Sequence, residues 1–551
     1  RELRQLELNV LKALYGDQAD QRLLLVEDLD SKIKVNIHQM HGIEIEEFPA
    51  EIAKAALYLV DHQMNRKVSA AFGVFYVHLP LPTAANIVHG NALRCNWQDI
   101  LPSAECTYII GNPPFIGRPF QSYEQKQDKE RVLKVGIPNY GNLDYVACWH
   151  VKAAEYICGS NVEVALVSTN SICQGEQVEL LWPFLMGQKH IKINFAHQSF
   201  KWSNEATGNA QVMCIIIGFA LWERSEKTIY SYADVRGEPT TRLVKNINPY
   251  LIDAPDIWVK KQSKPLCDIP KMSLGNQPTD NGNFLFTEEE KDEFLKQEPN
   301  AKKYIKKFLG AREFINNIPR YCLWLTDISP SELRSMPHVM KRIEAVKEFR
   351  LSSKKVATRV SAQTSWLFQD IRDINNQPYL FIPLTSSERR EYLPIGYINA
   401  NVITSNLAYM LPNATLYEFG IMTSNMHMAW MRITAGRLKT DYRYSNTFVY
   451  NTFPWPNPTK AQKDKIMACA QAVLDARANY PSESYADLYD ATLMPPNLRK
   501  AHKNLDKAVE AAYRKAPFAD DNARIVYLFN EYAKLTADML TQKPKLRKNT
   551  K

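Results

Sequence analysis

The sequence lacks any apolar run long enough to cross a membrane. Its longest run, at residues 212–222, is about half of the roughly 20 residues that a bilayer-spanning helix needs. Paired cysteines are missing as well, since no two of the nine cysteines lie closer than ten residues and no C-x-x-C pair occurs. We therefore expect no membrane span and no zinc knuckle. Scattered cysteines of this kind favour a reducing cytoplasm.

Glycine is scarce, with 20 residues in 551, and no two glycines are separated by a single residue. The chain therefore has no G-x-G loop of the kind that wraps a nucleotide cofactor in many α/β enzymes. Lys plus Arg (68) exceed Asp plus Glu (59) by nine, a mild excess that favours an acidic partner such as nucleic acid. The composition, 45% apolar and 23% charged, is globular, and the length predicts roughly two to four domains.

Between residues 32 and 223, short β-branched runs alternate with helical stretches. The runs expected to form strands lie at 34–37, 85–88, 108–110, 162–168, 191–196 and 212–219. Helices are expected near 47–65, 144–158 and 176–187. This alternation predicts an α/β domain over residues 1–223, built around a largely parallel sheet.

The rest of the chain divides into three parts. A polar connector at 224–262 leads into 263–456, where Pro, Asn and aromatic residues interrupt every periodic segment and predict a mixed α+β domain. Helical periodicity returns at 457–551, with helices expected near 460–480, 497–514 and 521–540. The last ten residues hold five Lys or Arg and no acid, so this region ends in a basic tail.

The N-terminus has the pattern of a helix already in progress. Leu3, Leu6, Val10 and Leu14 form one apolar stripe at helical spacing, and no capping residue precedes them. We therefore expect the chain to begin inside an element and to be part of a longer protein.

The most informative segment is Asn112-Pro113-Pro114-Phe115, directly after the strand expected at 108–110. Its two prolines remove two backbone donors, so the Pro113 carbonyl and the Asn112 side-chain oxygen can accept hydrogen bonds in one small volume. An amino group fits two such acceptors, and the Phe115 ring offers a flat surface for an aromatic base. The alternative is a plain strand-terminating turn, because Asn-Pro and Pro-Pro are common in loops.

Asn-Pro-Pro-Phe after a strand resembles the (D/N/S)-P-P-(Y/F/W) motif of DNA methyltransferases that methylate amino groups. The resemblance implies that Glu44 and Ile45 hold the ribose of the cofactor, that Asn91 and Ala92 contact its adenine, and that Asn112 also lies at the cofactor. Asn91 departs from the family, which usually has an acid there. Glu44 could instead be an ordinary surface acid.

An aromatic residue in a later loop of the same family stacks on the extruded adenine, on the face opposite the motif's own aromatic ring. The resemblance implies Phe200 for this role, with Trp202 as the runner-up. The alternative is that these aromatic residues cap a core, as aromatic residues after a strand commonly do.

Longer stretches resemble the MmeI family of bifunctional restriction-modification enzymes over nearly the whole chain. They are Tyr-Cys-Leu-Trp-Leu-Thr-Asp at 321–327, Leu-Arg-Ser-Met-Pro at 333–337 and Gly-Arg-Leu-Lys-Thr-Asp-Tyr-Arg-Tyr-Ser at 436–445. This resemblance implies a Rossmann-like, doubly wound class I methyltransferase sheet. A DNA target recognition domain at 263–456 and a C-terminal helical region are implied to follow it.

The activity implied by this resemblance is site-specific transfer of a methyl group from S-adenosylmethionine to adenine N6 in double-stranded DNA, in a bacterial cytoplasm. The transfer requires no metal, and Mg²⁺ would serve only a nuclease domain absent from this sequence. The implied DNA contacts are Lys302, Lys303, Arg437, Lys439 and Arg443. The two lysines could instead form a solvated face.

Two parts of the family pattern are missing from the sequence, namely the glycine-rich first motif and the nuclease domain. The first motif follows the central strand of such a sheet, so we expect polypeptide before Arg1 to supply both strand and motif. One alternative function is a DNA-binding specificity module with an inactive methyltransferase fold. Another is an N-methyltransferase that acts on RNA or protein, because N-P-P-(Y/F) sites also serve those acceptors.

Overall fold

The computed structural model describes residues 1–15, 31–73, 76, 85–201, 213–232, 234, 237–372, 377–438 and 440–541. Trp202, Lys439 and the basic tail lie outside the described residues.

The chain forms two units. The first consists of Arg1–Ser168, Phe184–Asn194 and Ile216–Arg224. The second consists of Thr169–Pro183, Phe195–Ile215 and Ser225–Lys551. The domain boundaries expected from the sequence stay predictions.

The N-terminal part alternates strands and helices. Its strands are β1 (His41–Glu44), β2 (Asn86–His89), β3 (Tyr108–Gly111), β4 (Glu163–Thr169), β5 (Lys192–Lys201), β6 (Met213–Ala220), β7 (Lys227–Ser231) and β8 (Thr240–Val244). Its helices are α1 (Glu2–Tyr15), α2 (Glu47–Phe72), α3 (Trp97–Ile100), α4 (Tyr123–Leu133), α5 (Ala147–Tyr156) and α6 (Gly175–Trp182).

These strands form one six-stranded sheet and one separate pair. The sheet has the order β3-β4-β6-β5-β7-β8, and β1 and β2 form a parallel pair. Strand β3 pairs with β4 and β5 with β7 in parallel, whereas β7 and β8 are antiparallel. The prediction of an α/β fold is confirmed, with parallel pairing between β1 and β2, β3 and β4, and β5 and β7. Since β1 and β3 are end strands of different sheets, the additional central strand expected from the sequence stays a prediction.

The prediction of a strand at 34–37 was wrong, because none of these residues is in a strand and β1 begins at His41. The Glu7 carboxylate accepts hydrogen bonds from the backbone N–H groups of Lys34 (2.5 Å) and Val35 (3.1 Å), and the Val35 carbonyl accepts one from Arg4 (2.9 Å). Side chains of α1 thus satisfy backbone groups that would otherwise pair in a sheet.

Helix α1 is present as predicted, but its buried side differs from the apolar stripe. Leu8 and Leu11 are buried beside Val68 and Phe72 of α2. The stripe of Leu3, Leu6, Val10 and Leu14 is instead 49–61% exposed.

The middle of the chain has short, mostly antiparallel strands mixed with helices. Its strands are β9 (Ser273–Leu274), β10 (Leu285–Phe286), β11 (Ile305–Leu309), β12 (Tyr321–Leu323), β13 (Tyr379–Pro383), β14 (Thr385–Ser386), β15 (Gly396–Ile398), β16 (Ile403–Thr404), β17 (Ala408–Pro412), β18 (Gly436–Leu438) and β19 (Asp441–Arg443). Its helices are α7 (Glu288–Gln297), α8 (Ala311–Asn316), α9 (Pro330–Arg334), α10 (Pro337–Leu351), α11 (Val356–Val360), α12 (Leu416–Met422) and α13 (Asn425–Thr434). The sheet orders are β10-β12-β11-β16, β15-β13-β17-β9 and β14-β19-β18. The predicted α+β character is confirmed.

The C-terminal part is helical, as predicted. Its helices are α14 (Lys460–Ala478), α15 (Tyr485–Leu488), α16 (Pro496–Tyr513) and α17 (Asp521–Thr541). In the part of the chain that the structure describes, no helix is both long enough and apolar enough to span a bilayer.

Candidate active site

The Asn-Pro-Pro-Phe segment begins where the parallel strand β3 ends at Gly111. Pro113 is buried, Phe115 is half-buried and Asn112 is exposed. Among the described residues, no group donates a hydrogen bond to the Asn112 side chain or to the Pro113 carbonyl. Both oxygens therefore keep their acceptor capacity within the described residues. Their role as acceptors for an amino group stays a prediction.

The residues that follow this turn are held by several hydrogen bonds. The Ile116 carbonyl accepts hydrogen bonds from the Tyr145 backbone N–H (3.0 Å) and from Gln121 Nε2 (3.2 Å). Lys129 Nζ, on α4, donates to Gln121 Oε1 (2.6 Å) and to the Leu143 carbonyl (3.0 Å). Burial lowers the pKa of Lys129. The Ile116 carbonyl, just after Phe115, is thus held by hydrogen bonds that lead back to Lys129 on α4. The Asn112 and Pro113 oxygens of the turn accept none among the described residues.

Asn91 and Ala92 follow β2 and are half-buried. Asn91 Oδ1 accepts a hydrogen bond from the Leu93 backbone N–H (2.9 Å), and Asn91 Nδ2 donates one to Asp128 Oδ2 (2.9 Å). The Ala92 carbonyl accepts from Trp97 Nε1 (2.9 Å). A side-chain amide has two N–H groups and two carbonyl lone pairs, so Asn91 retains one of each for a ligand.

Glu44 is the last residue of β1, and β1 runs parallel to β2 with Glu44 opposite His89. Its Oε1 accepts from the backbone N–H groups of Ile45 (2.9 Å) and Glu46 (3.3 Å). This leaves Oε2 unbonded among the described residues. Glu44 and Ile45 lie at the carboxyl end of β1, Asn91 and Ala92 just beyond that of its parallel partner β2, and Asn112 just beyond that of β3 in the six-stranded sheet. The carboxyl ends of parallel strands are where α/β sheets bind nucleotides.

Phe200 lies near the end of β5, in the second unit, within a cluster of aromatic rings. It stacks on Tyr232 with the ring centroids 5.2 Å apart, and His197 lies edge-on at 6.3 Å. His197 stacks on Tyr230 at 4.1 Å and shares a 2.8 Å hydrogen bond with the Tyr232 hydroxyl. Burial lowers the pKa of His197. The assignment of Phe200 to the flipped base stays a prediction.

The basic candidates differ in how their side chains are held. Lys302 is exposed, but Lys303 pairs with the Glu332 carboxylate, which also accepts from the Tyr304 hydroxyl (2.9 Å). Hydrogen bonds from Lys303 and Tyr304 lower the pKa of Glu332 to about 2.

A second difference separates the two arginines of the β18–β19 hairpin. The Arg437 guanidinium lies 3.9 Å from the centre of the Tyr442 ring and donates to the Thr440 carbonyl (3.0 Å). The Arg443 side chain is exposed and, within the described ranges, forms neither a hydrogen bond nor an ion pair.

The sequence did not identify Asp128, Lys129 or Tyr145. Asp128 and Lys129 are each 2% exposed, although they lie in a polar helix segment that reads as a solvated face. A polar helix shortly after the Asn-Pro-Pro-Phe motif was the only available signal. Nothing in its spacing shows which charges are buried.

Comparison with known proteins places three domain models along the chain. The MmeI DNA-methyltransferase domain matches residues 1–231, the MmeI target recognition domain 253–457 and the MmeI C-terminal domain 458–540.

Two relatives match nearly the whole chain. "DNA methyltransferase A" of Bacillus subtilis (strain 168) is 39% identical over 539 residues, which are 97% of this chain and 59% of that relative. The chain therefore spans 59% of the length of this relative. The second relative is the Type IIL restriction-modification enzyme MmeI, whose structure was solved in complex with DNA. Its sequence is 48% identical to this chain, and the two structures superpose with a TM-score of 0.87 over 97% of this chain and 71% of that one. The chain belongs to the MmeI family.

Proposed function

We propose that the chain is the modification and specificity part of a restriction-modification enzyme. It transfers a methyl group from S-adenosylmethionine to adenine N6 at specific sites in duplex DNA. The observation that carries this proposal is the pair of unbonded acceptors, Asn112 Oδ1 and the Pro113 carbonyl, at the carboxyl end of β3. They lie within the stretch 1–231 that matches the MmeI methyltransferase model.

The residues at the ends of β1 and β2 fit an adenosine cofactor. Glu44 Oε2 is unbonded among the described residues and suits ribose hydroxyls. Asn91 retains one N–H and one lone pair for the edge of an adenine ring. Ile45, which is 59% exposed, offers an apolar surface beside them. When bound, S-adenosylmethionine supplies a methyl group activated by its sulfonium.

The Asn112 and Pro113 oxygens act on the amino group of the target adenine. The lone pair of that nitrogen is conjugated with the ring, which makes it a poor nucleophile. Accepting both N–H hydrogens would draw the nitrogen toward a tetrahedral shape and free its lone pair to bond to the methyl carbon. The methyl–sulfur bond would break with its electron pair left on sulfur, and the amino nitrogen would release one proton to water. Placement and electrostatics are sufficient for this step, so it needs no metal.

The target nucleotide must leave the duplex first, at a cost of a few kcal/mol. Stacking offsets this cost, at about 1–3 kcal/mol per base. We assign one stacking face to Phe115, at the motif, and the other to Phe200 or Trp202.

We assign sequence reading to residues 263–456, in line with the match of the MmeI target recognition model to 253–457. Lys302 and Arg443, whose side chains are exposed, suit DNA phosphates. Lys303 and Arg437 are held by neighbouring groups, and they contact DNA only within that fixed geometry. Lys439 belongs to the same hairpin in sequence. Methylation of genomic DNA would take place in the bacterial cytoplasm.

Transfer of labelled methyl groups tests the proposal against its alternatives. The full-length protein is incubated with methyl-labelled S-adenosylmethionine and, in parallel, with plasmid DNA, total RNA and bacterial protein extract. We expect label only in duplex DNA and, after digestion to nucleosides, only in N6-methyladenine. Label in RNA or protein would favour those acceptors. Specific DNA binding without any label would favour an inactive specificity module.

A further inference from the structure

Two adjacent residues of α4, Asp128 and Lys129, carry opposite charges and are both buried at 2% exposure. They do not pair with each other. Lys129 bonds to Gln121, Gly141 and Leu143, on the side of the Asn-Pro-Pro-Phe turn. Asp128 faces the segment after β2.

The Asp128 carboxylate accepts three sets of hydrogen bonds. Its donors are Asn91 Nδ2 (2.9 Å), Arg94 Nε and Nη2 (2.7 and 3.3 Å) and the Tyr145 hydroxyl (3.3 Å). Burial alone would raise the pKa of Asp128, but the hydrogen bonds from Arg94 and Asn91 outweigh it and leave the pKa below its usual value. The carboxylate is therefore ionised at neutral pH and can only accept.

An acceptor-only partner fixes the orientation of the Asn91 amide. The Nδ2 group must point at Asp128, which turns Oδ1 toward the Leu93 backbone N–H, 2.9 Å away. Two partners set the same orientation, because the ionised carboxylate can only accept from Nδ2 and the Leu93 N–H can only donate to Oδ1. A partner at 128 that could also donate would leave this orientation to the Leu93 N–H alone. Asp128 and Leu93 together determine which atom of Asn91 meets a ligand.

The same carboxylate connects this side of the site to the Asn-Pro-Pro-Phe side. Tyr145, whose hydroxyl donates to Asp128, uses its backbone N–H to hold the Ile116 carbonyl, one residue beyond Phe115.

We propose that Asp128 is a positioning residue, which orients the Asn91 amide toward the adenosine end of the cofactor and couples that orientation to the peptide after Phe115. This inference rests on the proposed function, because it concerns the same cofactor. Asp128 acts through Asn91 and touches neither cofactor nor substrate.

Calorimetric titration of S-adenosylmethionine into the full-length protein, without DNA, tests this role. Asp128→Asn should raise the dissociation constant about tenfold, because an amide at 128 can donate as well as accept and leaves the orientation of Asn91 to the Leu93 N–H alone. The KM of Asp128→Asn for S-adenosylmethionine should rise by a similar factor, whereas its kcat should change less. The exchange Asn91→Asp with Asp128→Asn restores one acid and one amide in the pair, so its dissociation constant should return to within about threefold of wild type.

Glu130→Gln is the matched control on the same helix, because Glu130 is exposed and pairs with Lys134. It should bind like wild type. A wild-type dissociation constant in Asp128→Asn would overturn the positioning role. A tenfold loss that the exchange does not recover would overturn it too, since Asp128 would then only neutralise Arg94.

If Asp128→Asn does not fold, Tyr145→Phe decides. This variant keeps the ring and loses one hydrogen bond to Asp128, so cofactor binding should weaken two- to threefold. An unchanged constant would overturn the coupling. The wild-type titration itself reports on the proposed function, whereas the ratios of variants to wild type report on Asp128. A wild-type protein that binds no cofactor would overturn both proposals.

Discussion

Strands β3 and β13 are both apolar in sequence, but they lie in opposite surroundings. All five residues of β13 are buried, and the strand pairs with β15 on one side and β17 on the other. Among the residues that the structure describes, strand β3 pairs only with β4, at the end of its sheet. There Tyr108 is 63% exposed and Ile110 84%. The candidate catalytic turn begins at this open edge.

Two buried aspartates, Asp128 and Asp506, differ in the charge of their hydrogen-bond donors and in the direction of their pKa shifts. Asp128 has a cationic partner, Arg94, and its pKa is lowered. Asp506, on α16, accepts only from neutral donors, the Asn425 backbone N–H and the Tyr392 hydroxyl, each at 2.7 Å. Burial raises the pKa of Asp506 to about 7.

These contrasts distinguish the exposed candidate site from the closed interior around β13. Among the described residues, the Asn112 and Pro113 oxygens at the end of β3 accept no hydrogen bond. In the second unit, all residues of β13 are buried and the hydrogen-bond donors of Asp506 are neutral, with Glu510 and Arg524 as the charged groups that act on it. Substitutions at the open edge should therefore change catalysis more than folding, and substitutions in β13 should change folding first.

The largest effect is expected at Phe381 in β13, which is fully buried and lies 4.3 Å from the Phe314 ring. Phe381→Ala should lower the free energy of unfolding by about 3–5 kcal/mol, because it removes a large side chain from a closed site. Denaturant unfolding measures this loss. Phe381→Leu, as the control, should cost under about 1.5 kcal/mol. Equal, small losses in both variants would mean that β13 is not a closed interior.

Asn112→Ala should reduce methyl transfer at least 100-fold, or about 2.7 kcal/mol, because its oxygen matters most as the amino nitrogen changes shape. DNA affinity should stay within a few fold. The free energy of unfolding should change by less than about 0.5 kcal/mol, since Asn112 is exposed and unbonded. Asn112→Asp keeps an acceptor and should retain more activity than the alanine variant. An alanine variant with a tenth of the wild-type rate would count against the assignment.

Asp506 should make the second unit more stable in mild acid than at neutral pH. Its folded pKa, about 7, lies above the unfolded value of about 3.9. Its contribution is therefore complete below pH 4 and is lost as the pH rises to 7, at no more than about 1.4 kcal/mol per pH unit. Asp506→Asn should lack that slope, so the difference between the wild-type and variant free energies of unfolding should fall as the pH rises from 4 to 7. Parallel curves over this range would show that Asp506 is ionised in the folded chain.

A smaller effect should distinguish the two arginines of the β18–β19 hairpin. Arg443→Ala should weaken binding to all duplexes alike and reduce the slope of log affinity against log salt by about 1, with unfolding unchanged. Arg437→Ala should lower the free energy of unfolding by about 1 kcal/mol, because it loses the Tyr442 contact and the bond to Thr440. Filter binding at several salt concentrations and thermal unfolding measure the two effects. If both variants changed DNA affinity and the free energy of unfolding in the same way, the two arginines would not differ in role.

Local patterns explain how much of this could be predicted from the sequence. The alternation of strands and helices, the C-terminal helices and the Asn-Pro-Pro-Phe turn all follow from periodicity and proline chemistry within a few residues. The features that the sequence did not predict depend on contacts between residues that are distant in the sequence. Glu7 and Arg4 of α1 hold the backbone at 34–35, so the first strand formed later, at β1.

The supports of the candidate site were not predictable for the same reason. Asp128 and Lys129 are buried because carbonyls and side chains from Asn91, Gln121 and Leu143 converge on them. The types and spacing of residues in α4 do not show that groups from other segments surround these two side chains. Adjacent charges in a polar helix instead predict a solvated face.

The smallest effect is expected at Ile110, the apolar residue of β3 that is 84% exposed. In the 551-residue chain, Ile110→Ala should change the free energy of unfolding by less than about 0.5 kcal/mol, because it removes almost no buried surface. Denaturant unfolding beside Phe381→Ala gives the comparison directly. The same substitution in the full-length protein sharpens it. A cost above about 2 kcal/mol there would mean that polypeptide outside these 551 residues covers β3, as expected for a sheet with a further central strand. An equal, small cost in both forms would mean that this edge stays open.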